Sequence, residues 1–230
     1  AQTVASSASA AISGLQDAGL SRADSIDVLS RFVSVSDSLF AAWAVFEPGA
    51  YGDADATYAS SPGHDADGRL SPYWSLEDGE PSLSSALGPS GGASAPSFYA
   101  EPGRFGATRF SAPHIRMQGQ RQVTLISVSV PIVSRGSVVG VAGVDLNLAS
   151  LSRLVQTLRP FDSGKAFLAD ASGRILAHYD AALTGSTIAS IYGDDMMAEA
   201  AAATGRAQSF STLASDEKGL PVYVLMTPVR

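Results

Sequence analysis

The stretch RQVTLISVSVPIVSRGSVVGVAGVDLNLASLSRLVQTL, residues 121–158, decides the fold. Two runs rich in valine and isoleucine, 123–133 and 138–146, flank Arg135-Gly136, and the second leads directly into a helical pattern ending at Leu158. Runs of this kind suit strands covered by another layer, so the spacing predicts an antiparallel hairpin followed by a helix over 146–158. Along the second strand Val139, Val141, Gly143 and Asp145 share one face, because successive side chains alternate. An acid beside a residue with no side chain leaves room for a ligand. Aspartate is also a favoured helix N-cap, and the two roles are compatible.

Composition narrows the function classes around this unit. A chain of 230 residues, 45% hydrophobic, can bury one large core or two small ones, and two modules are expected. The net charge of −7 argues against nucleic acid, because phosphate binding needs clustered Lys and Arg, and here thirteen of the fifteen basic residues are scattered arginines. Anionic membrane surfaces are disfavoured for the same reason. With no cysteine, disulfides, thiolate metal sites and thiol nucleophiles are excluded together, which fits an oxidising compartment. The sequence contains no run of 18 apolar residues, and Ala1-Gln2-Thr3 lacks the basic and apolar regions of a signal peptide. The chain reads as an excised piece of something longer, with membrane anchors expected on both sides.

Upstream, residues 3–16 are small, with Ile12 and Leu15 forming a thin apolar stripe, and Gly19 interrupts the pattern. Ser21 with Asp24 resembles a capping box, and Ile26, Leu29 and Val33 recur at helical spacing, so a second helical segment is expected. The apolar run 40–46, closed by Glu47-Pro48-Gly49, begins the sheet. Residues 51–113 are turn-rich yet carry Tyr51, Tyr58, Tyr73, Trp74, Phe98, Tyr99, Phe105 and Phe110, and this long loop region is where pocket walls are expected. Downstream the pattern gives strands at 165–170 and 174–178, a helix near 194–203, and strands at 208–213 and 220–229.

Phe46-Glu47-Pro48, Asp53-Ala54-Asp55-Ala56, the run 63–74 from Gly63-His64-Asp65 to Pro72-Tyr73-Trp74, Pro131-Ile132, residues 140–145 and Phe167-Leu168-Ala169-Asp170 follow in a characteristic order. In that order they resemble the double-Cache family, the paired PAS-like extracellular sensors of bacterial methyl-accepting chemotaxis receptors and membrane kinases. The resemblance implies an α+β fold: a long N-terminal helix packed along two PAS-like modules, each with a central antiparallel sheet. It implies an N-terminal helical segment over 1–39, a membrane-distal ligand-binding module over 40–158 and a membrane-proximal module over 159–230.

By the same resemblance the protein is an extracytoplasmic, periplasmic or extracellular sensor in the bacterial inner membrane, with no enzymatic activity and no cofactor. Its partners are a small-molecule ligand (an amine, an amino acid or an organic acid), the membrane through its anchors, and a second copy in a weak homodimer. Relatives that bind amino acids carry an Arg before a Pro-Trp-Tyr run, a later Tyr after Pro, and an Asp closing a glycine-containing strand. Asp145 matches, whereas Ser71 stands at the Arg position, Tyr73 and Trp74 reverse the aromatic order, and His114 follows Pro113. An acid with aromatic faces suits an ammonium. The expected pocket is therefore Asp145 as anionic partner, Tyr73 and Trp74 as walls, and His114 as polar contact, with Arg69 and Tyr99 beside them. Either Arg69 or Arg116 would supply an anion contact if it points inward.

Each choice has a plainer counterpart. Tyr73 and Trp74 serve equally as core plugs, and His114 as a surface strand residue. Gly88-Pro89-Ser90-Gly91-Gly92 spells a hydrolase nucleophile motif without the strand and helix that motif requires. Asp53, Asp55, Asp65 and Asp67 miss the EF-hand spacing, and His64, His114 and His178 are too dispersed for zinc. The rival readings are a kinase or cyclase sensor, a Ser90 hydrolase, and a structural ectodomain that binds nothing.

Overall fold

Arg135 and Gly136 both lie at positive φ, 49° and 82°, which is the backbone that a two-residue hairpin loop needs to follow strand twist. In the computed structural model, which describes residues 1–34, 39–52, 55–77, 79–87, 96–216 and 218–228, this turn joins two long strands as expected. They are Arg121–Ser134 and Ser137–Asn147, the sixth and seventh of the chain. Before them come β1 (Leu39–Phe46), β2 (Pro72–Glu77), β3 (Glu80–Ser85), β4 (Arg109–Phe110) and β5 (His114–Gln118). With the hairpin as β6 and β7, they form one antiparallel sheet in the order β3-β2-β1-β7-β6-β4, β5 also pairing with β6.

The chain folds as two units, residues 1–147 and 148–230. In the first, one face of the sheet is covered by α1 (Gln2–Asp17) and α2 (Arg22–Val33). Ala5, Ala8 and Ile12 of α1 are fully buried with Ala42, Ala44, Phe46, Val128, Ala142 and Val144. Small residues let the helix approach closely enough for Ser9 and Ser13 to donate hydrogen bonds to the carbonyls of Pro131 (2.8 Å) and Val133 (2.6 Å). The long N-terminal helix that the resemblance implies is thus two helices, as the residue pattern itself expected. Gly19 at φ 73° and the Leu20 N–H to Leu15 carbonyl bond stop α1, and the Ser21/Asp24 capping box starts α2.

The turn-rich region holds more regular structure than its composition suggests. It contains β2, β3, β4 and a helix α3 (Ser97–Phe105), which lies on the other sheet face and contributes Phe98 and Tyr99 to a cluster with Ala41, Trp43, Val45, Tyr73 and Val141. The Ser90 motif, residues 88–92, and Asp53 lie outside the described residues.

The second unit opens with α4 (Leu148–Thr157). β8 (Phe167–Ala169) pairs with β9 (Ile175–His178), and β10 (Phe210–Ser215) with β11 (Pro221–Met226), each as a two-stranded antiparallel sheet. Among the described residues no single central sheet joins them. α5 (Ile188–Tyr192) and α6 (Asp194–Gly205) complete a core of Ile175, Ile188, Met196, Ala200 and Val224.

Candidate functional site

Asp145 is two residues inside the end of β7, so it caps no helix. Its carboxylate is 2% exposed and accepts three hydrogen bonds. Oδ1 receives Trp43 Nε1–H at 2.9 Å and the Ser127 hydroxyl at 2.6 Å, and Oδ2 receives the Tyr73 hydroxyl at 2.7 Å. Sheet register explains the convergence. Asp145 pairs with Ala41 of β1 on one side and Ser127 of β6 on the other, and Trp43 pairs with both Gly143 and Tyr73.

Gly143 has a different use from the one read in the sequence. A Cβ there would stand 2.6 Å from Trp43 Cε2 and closer still to Cζ2, so the missing side chain makes room for the indole of Trp43 and not for a ligand. Val139 also departs from the expected face. A bulge between the Ile132/Gly140 and Val133/Val138 pairs turns its side chain toward the helix-side core.

No cation stands within ion-pair distance of Asp145 among the described residues. Burying a carboxylate costs several kcal/mol, roughly, even after relaxation, and the three donors offset that by about 1.5–3 kcal/mol each. Nearby on the same strand face the Ser129 hydroxyl is fully buried without a hydrogen-bond partner. Burial, and then the charge of Asp145, push the Tyr73 phenol well above its ordinary value; it stays a proton donor.

The other expected residues divide. Trp74 follows Tyr73 along the strand and therefore points to the opposite face, where it packs against the helix-side core and donates Nε1–H to the Ile26 carbonyl at 2.8 Å. It is no wall for Asp145; Trp43 supplies the indole there. His114 stacks on Phe98 with ring centroids 5.4 Å apart, and Phe98 packs edge-on against Trp43 at 5.1 Å. The imidazole thus stands one ring removed from the Asp145 cluster. Tyr99 donates its hydroxyl to Glu47 at 2.5 Å, and burial, then this contact, raise its phenol strongly. Arg69 is engaged in an ion pair with Asp65 at 3.0 Å and lies 5.8 Å from the Tyr99 ring centroid. Asp55 pairs with Arg22.

Arg116 points inward. Its guanidinium carbon lies 3.5 Å from the centroid of the Tyr73 ring, and it donates to the Ser84 hydroxyl (3.2 Å) and the carbonyls of Ser85 (3.1 Å) and Ala86 (3.4 Å). It forms one wall of a cleft of about 530 Å³ lined by Phe40, Ser60, His64, Asp65, Ala66, Ser75, Ser84, Ser85, Arg116, Met117 and Gln118. Asp145 is not among these walls; the Tyr73 ring separates it from Arg116.

Three contributors escaped the sequence reading: Trp43, Ser127 and Ser129. A signal did exist for the serines, since two polar residues at a spacing of two inside an apolar strand mark a polar stripe on one face. Trp43 gave none until its pairing partners were known.

Residues 26–153 match the family described as methyl-accepting chemotaxis protein-like, first PDC sensor domain. The methyl-accepting chemotaxis protein TlpQ of Pseudomonas aeruginosa is 32% identical over 124 residues, 49% of this chain and 17% of that protein; the matched stretch is thus well under two thirds of the receptor. Among solved structures, the extracellular domain of mmHK1S-Z3, assigned as a histidine kinase, is 25% identical with a TM-score of 0.80, covering 99% of this chain and 81% of that one. The ligand-binding domain of the Pseudomonas aeruginosa amino acid chemoreceptor PctB, solved with L-Arg, shares the fold at 16% identity and a TM-score of 0.51, covering 96% of this chain and 76% of that one.

Proposed function

Because this chain belongs to the methyl-accepting chemotaxis protein-like family of first PDC sensor domains, we propose that its first unit senses an amine-bearing solute through Asp145. The chain is an extracytoplasmic sensor domain of a membrane receptor, from a family of sensors and not of catalysts. The finer assignments that follow are proposals: a chemoreceptor as the whole protein, two PAS-like modules in tandem, and an amine as ligand. The near-complete coverage by the mmHK1S-Z3 ectodomain supports the tandem arrangement. That PctB was solved with an amino acid supports the amine.

One observation carries the ligand class. A carboxylate 2% exposed, held by neutral donors and lacking a counter-ion among the described residues, keeps its full negative charge for a cationic ligand group to pair with. Trp43 and Tyr73 flank it, and the buried Ser129 hydroxyl, paired in register with Gly143, has no hydrogen-bond partner of its own among the described residues. Binding would act by population shift: the solute favours whichever packing of the unit it fits better, by no more than its difference in affinity for the two. α2 is placed to report that shift. Trp74 ties it to β2 through the Ile26 carbonyl, and Arg22 ties it to the loop near the cleft through Asp55 and the Gly68 carbonyl.

A thermal-shift panel of amines, amino acids and organic acids tests the reading, since a ligand that binds only the folded state raises the melting temperature. An amine should stabilise the protein, and Asp145→Asn should weaken that amine at least about tenfold, roughly 1.4 kcal/mol. The substitution keeps an oxygen for Trp43 and Ser127, so circular dichroism should be unchanged. An amine held equally well by Asp145→Asn removes Asp145 from the site, and a silent panel favours a structural ectodomain.

A further inference from the structure

We propose that the cleft beside Tyr73 is a second recognition site, built for a hydroxylated carboxylate of the sugar-acid class, with Arg116 holding the carboxylate. The proposal takes the sensor reading as given but does not depend on Asp145, which the cleft does not include. Three features of the walls carry it.

The first is the charge of Arg116. Its three hydrogen bonds go to a hydroxyl and two carbonyls, so no carboxylate of the described residues neutralises it. Stacking on Tyr73 at 3.5 Å fixes the plane of the guanidinium, and two of its five N–H groups, Nε–H and one on Nη1, remain; they lie on different edges, so each offers a carboxylate a single charge-assisted hydrogen bond. The acid in the wall, Asp65, already pairs with Arg69 Nε and accepts the Asp67 and Arg69 backbone N–H groups, so it does not cancel the field of Arg116.

The second is His64, 7% exposed. Its Nδ1 sits 3.0 Å from the Pro62 carbonyl, which can only accept, so Nδ1 carries the proton of this contact. Burial, the largest influence on the ring, disfavours the charged form, which leaves Nε2 as a lone pair. That atom is buried with no partner among the described residues on a residue that lines the cleft, so a small turn of the ring would let it accept a ligand hydroxyl. The third is the remaining polar surface: Ser60, Ser75, Ser84 and Gln118 around a volume of about 530 Å³, which falls in the range of small-molecule sites. An anion anchor, a neutral acceptor and a ring of hydroxyls match a ligand with one carboxylate and several hydroxyls better than a bare fatty acid or a bare sugar.

Isothermal titration of the intact chain with D-glucuronate, D-glucose and hexanoate separates these contributions. Glucuronate should bind saturably, and at least about tenfold more tightly than glucose, which lacks the charged anchor, or hexanoate, which lacks the hydroxyls. Arg116→Gln should lose glucuronate by a similar factor. Ser75→Ala, which removes a wall hydroxyl and adds no atoms, should weaken it by a smaller but measurable factor, and it decides the matter if Arg116→Gln does not fold. Absence of saturable glucuronate binding overturns the proposal, as do equal affinity for hexanoate, full retention in Arg116→Gln, or an unchanged affinity in Ser75→Ala. An amine hit from the earlier panel on the same preparation, with no glucuronate binding, shows the proposed function standing while the cleft proposal falls; failure of both overturns the cleft proposal and favours a structural ectodomain.

Discussion

Replacing Gly143 with alanine puts a methyl group 2.6 and 2.9 Å from Cε2 and Cη2 of Trp43 and nearer still to Cζ2, all inside the closest approach that carbon atoms tolerate. The backbone at this position is ordinary strand, so the substitution introduces no conformational strain, and its whole effect is the collision. The indole cannot retreat within its plane without moving Nε1 away from Asp145 Oδ1, now 2.9 Å distant. Overpacking a core costs about 1–3 kcal/mol, and loss of a hydrogen bond to a buried charge costs about 1.5–3 kcal/mol. The expected destabilisation is therefore about 2.5–6 kcal/mol, a large fraction of the ~5–15 kcal/mol by which domains are stable. Urea unfolding followed by far-ultraviolet circular dichroism measures it, and the emission of Trp43 should shift as its surroundings change. Because a phenyl ring lacks the fused ring that the methyl strikes, Gly143→Ala should cost much less in a Trp43→Phe background, and the double-mutant cycle reports that coupling. A Gly143→Ala protein within about 0.5 kcal/mol of the parent, or a cycle without coupling, would refute the close approach of Trp43 to Gly143.

Trp74→Phe removes the bond to the Ile26 carbonyl and should cost about 1 kcal/mol of stability while leaving solute affinity unchanged; a tenfold loss of affinity would return Trp74 to the binding site. Asp55 shows a net lowering of its carboxyl. Burial acts to raise it, but the hydrogen bond and charge of Arg22 and the Gly49 N–H outweigh that. A carboxylate lowered in the fold stabilises above its ordinary value of 3.8, and that contribution disappears as pH falls through the lower folded value. Asp55→Asn should therefore weaken the protein by about 3–5 kcal/mol at neutral pH, because Arg22 is left buried without its carboxylate, and its acid limb below 3.8 should be flatter than the parent's. A parallel pH–stability curve would contradict the pairing.

The sequence by itself determined what depends on neighbours along the chain. The 135–136 turn, the β6–β7 hairpin, the capping box at Ser21 and the break at Gly19 follow from local backbone preferences and a period of two or 3.6, all legible in a single stretch. The family order of short motifs was legible for the same reason, and with it the sensor class. The wording of residues 51–113 misled, because Gly, Pro and Ser suggest loop while the aromatics there are drawn into strands and a helix by a core they cannot see locally.

Which side chains meet was decided only by the tertiary structure. Tyr73, Trp43 and Ser127 reach Asp145 from 72, 102 and 18 residues away, and they do so because β1 inserts between β2 and β7 in the sheet order. The same alternation that was legible in β2 sends Trp74 to the far side once the buried face is assigned. Arg116 enters the cleft because β5 folds back along β6. Periodicity fixes the face a residue shares with its own strand; pairing and register, set by the packing of both faces at once, choose its companions on the others.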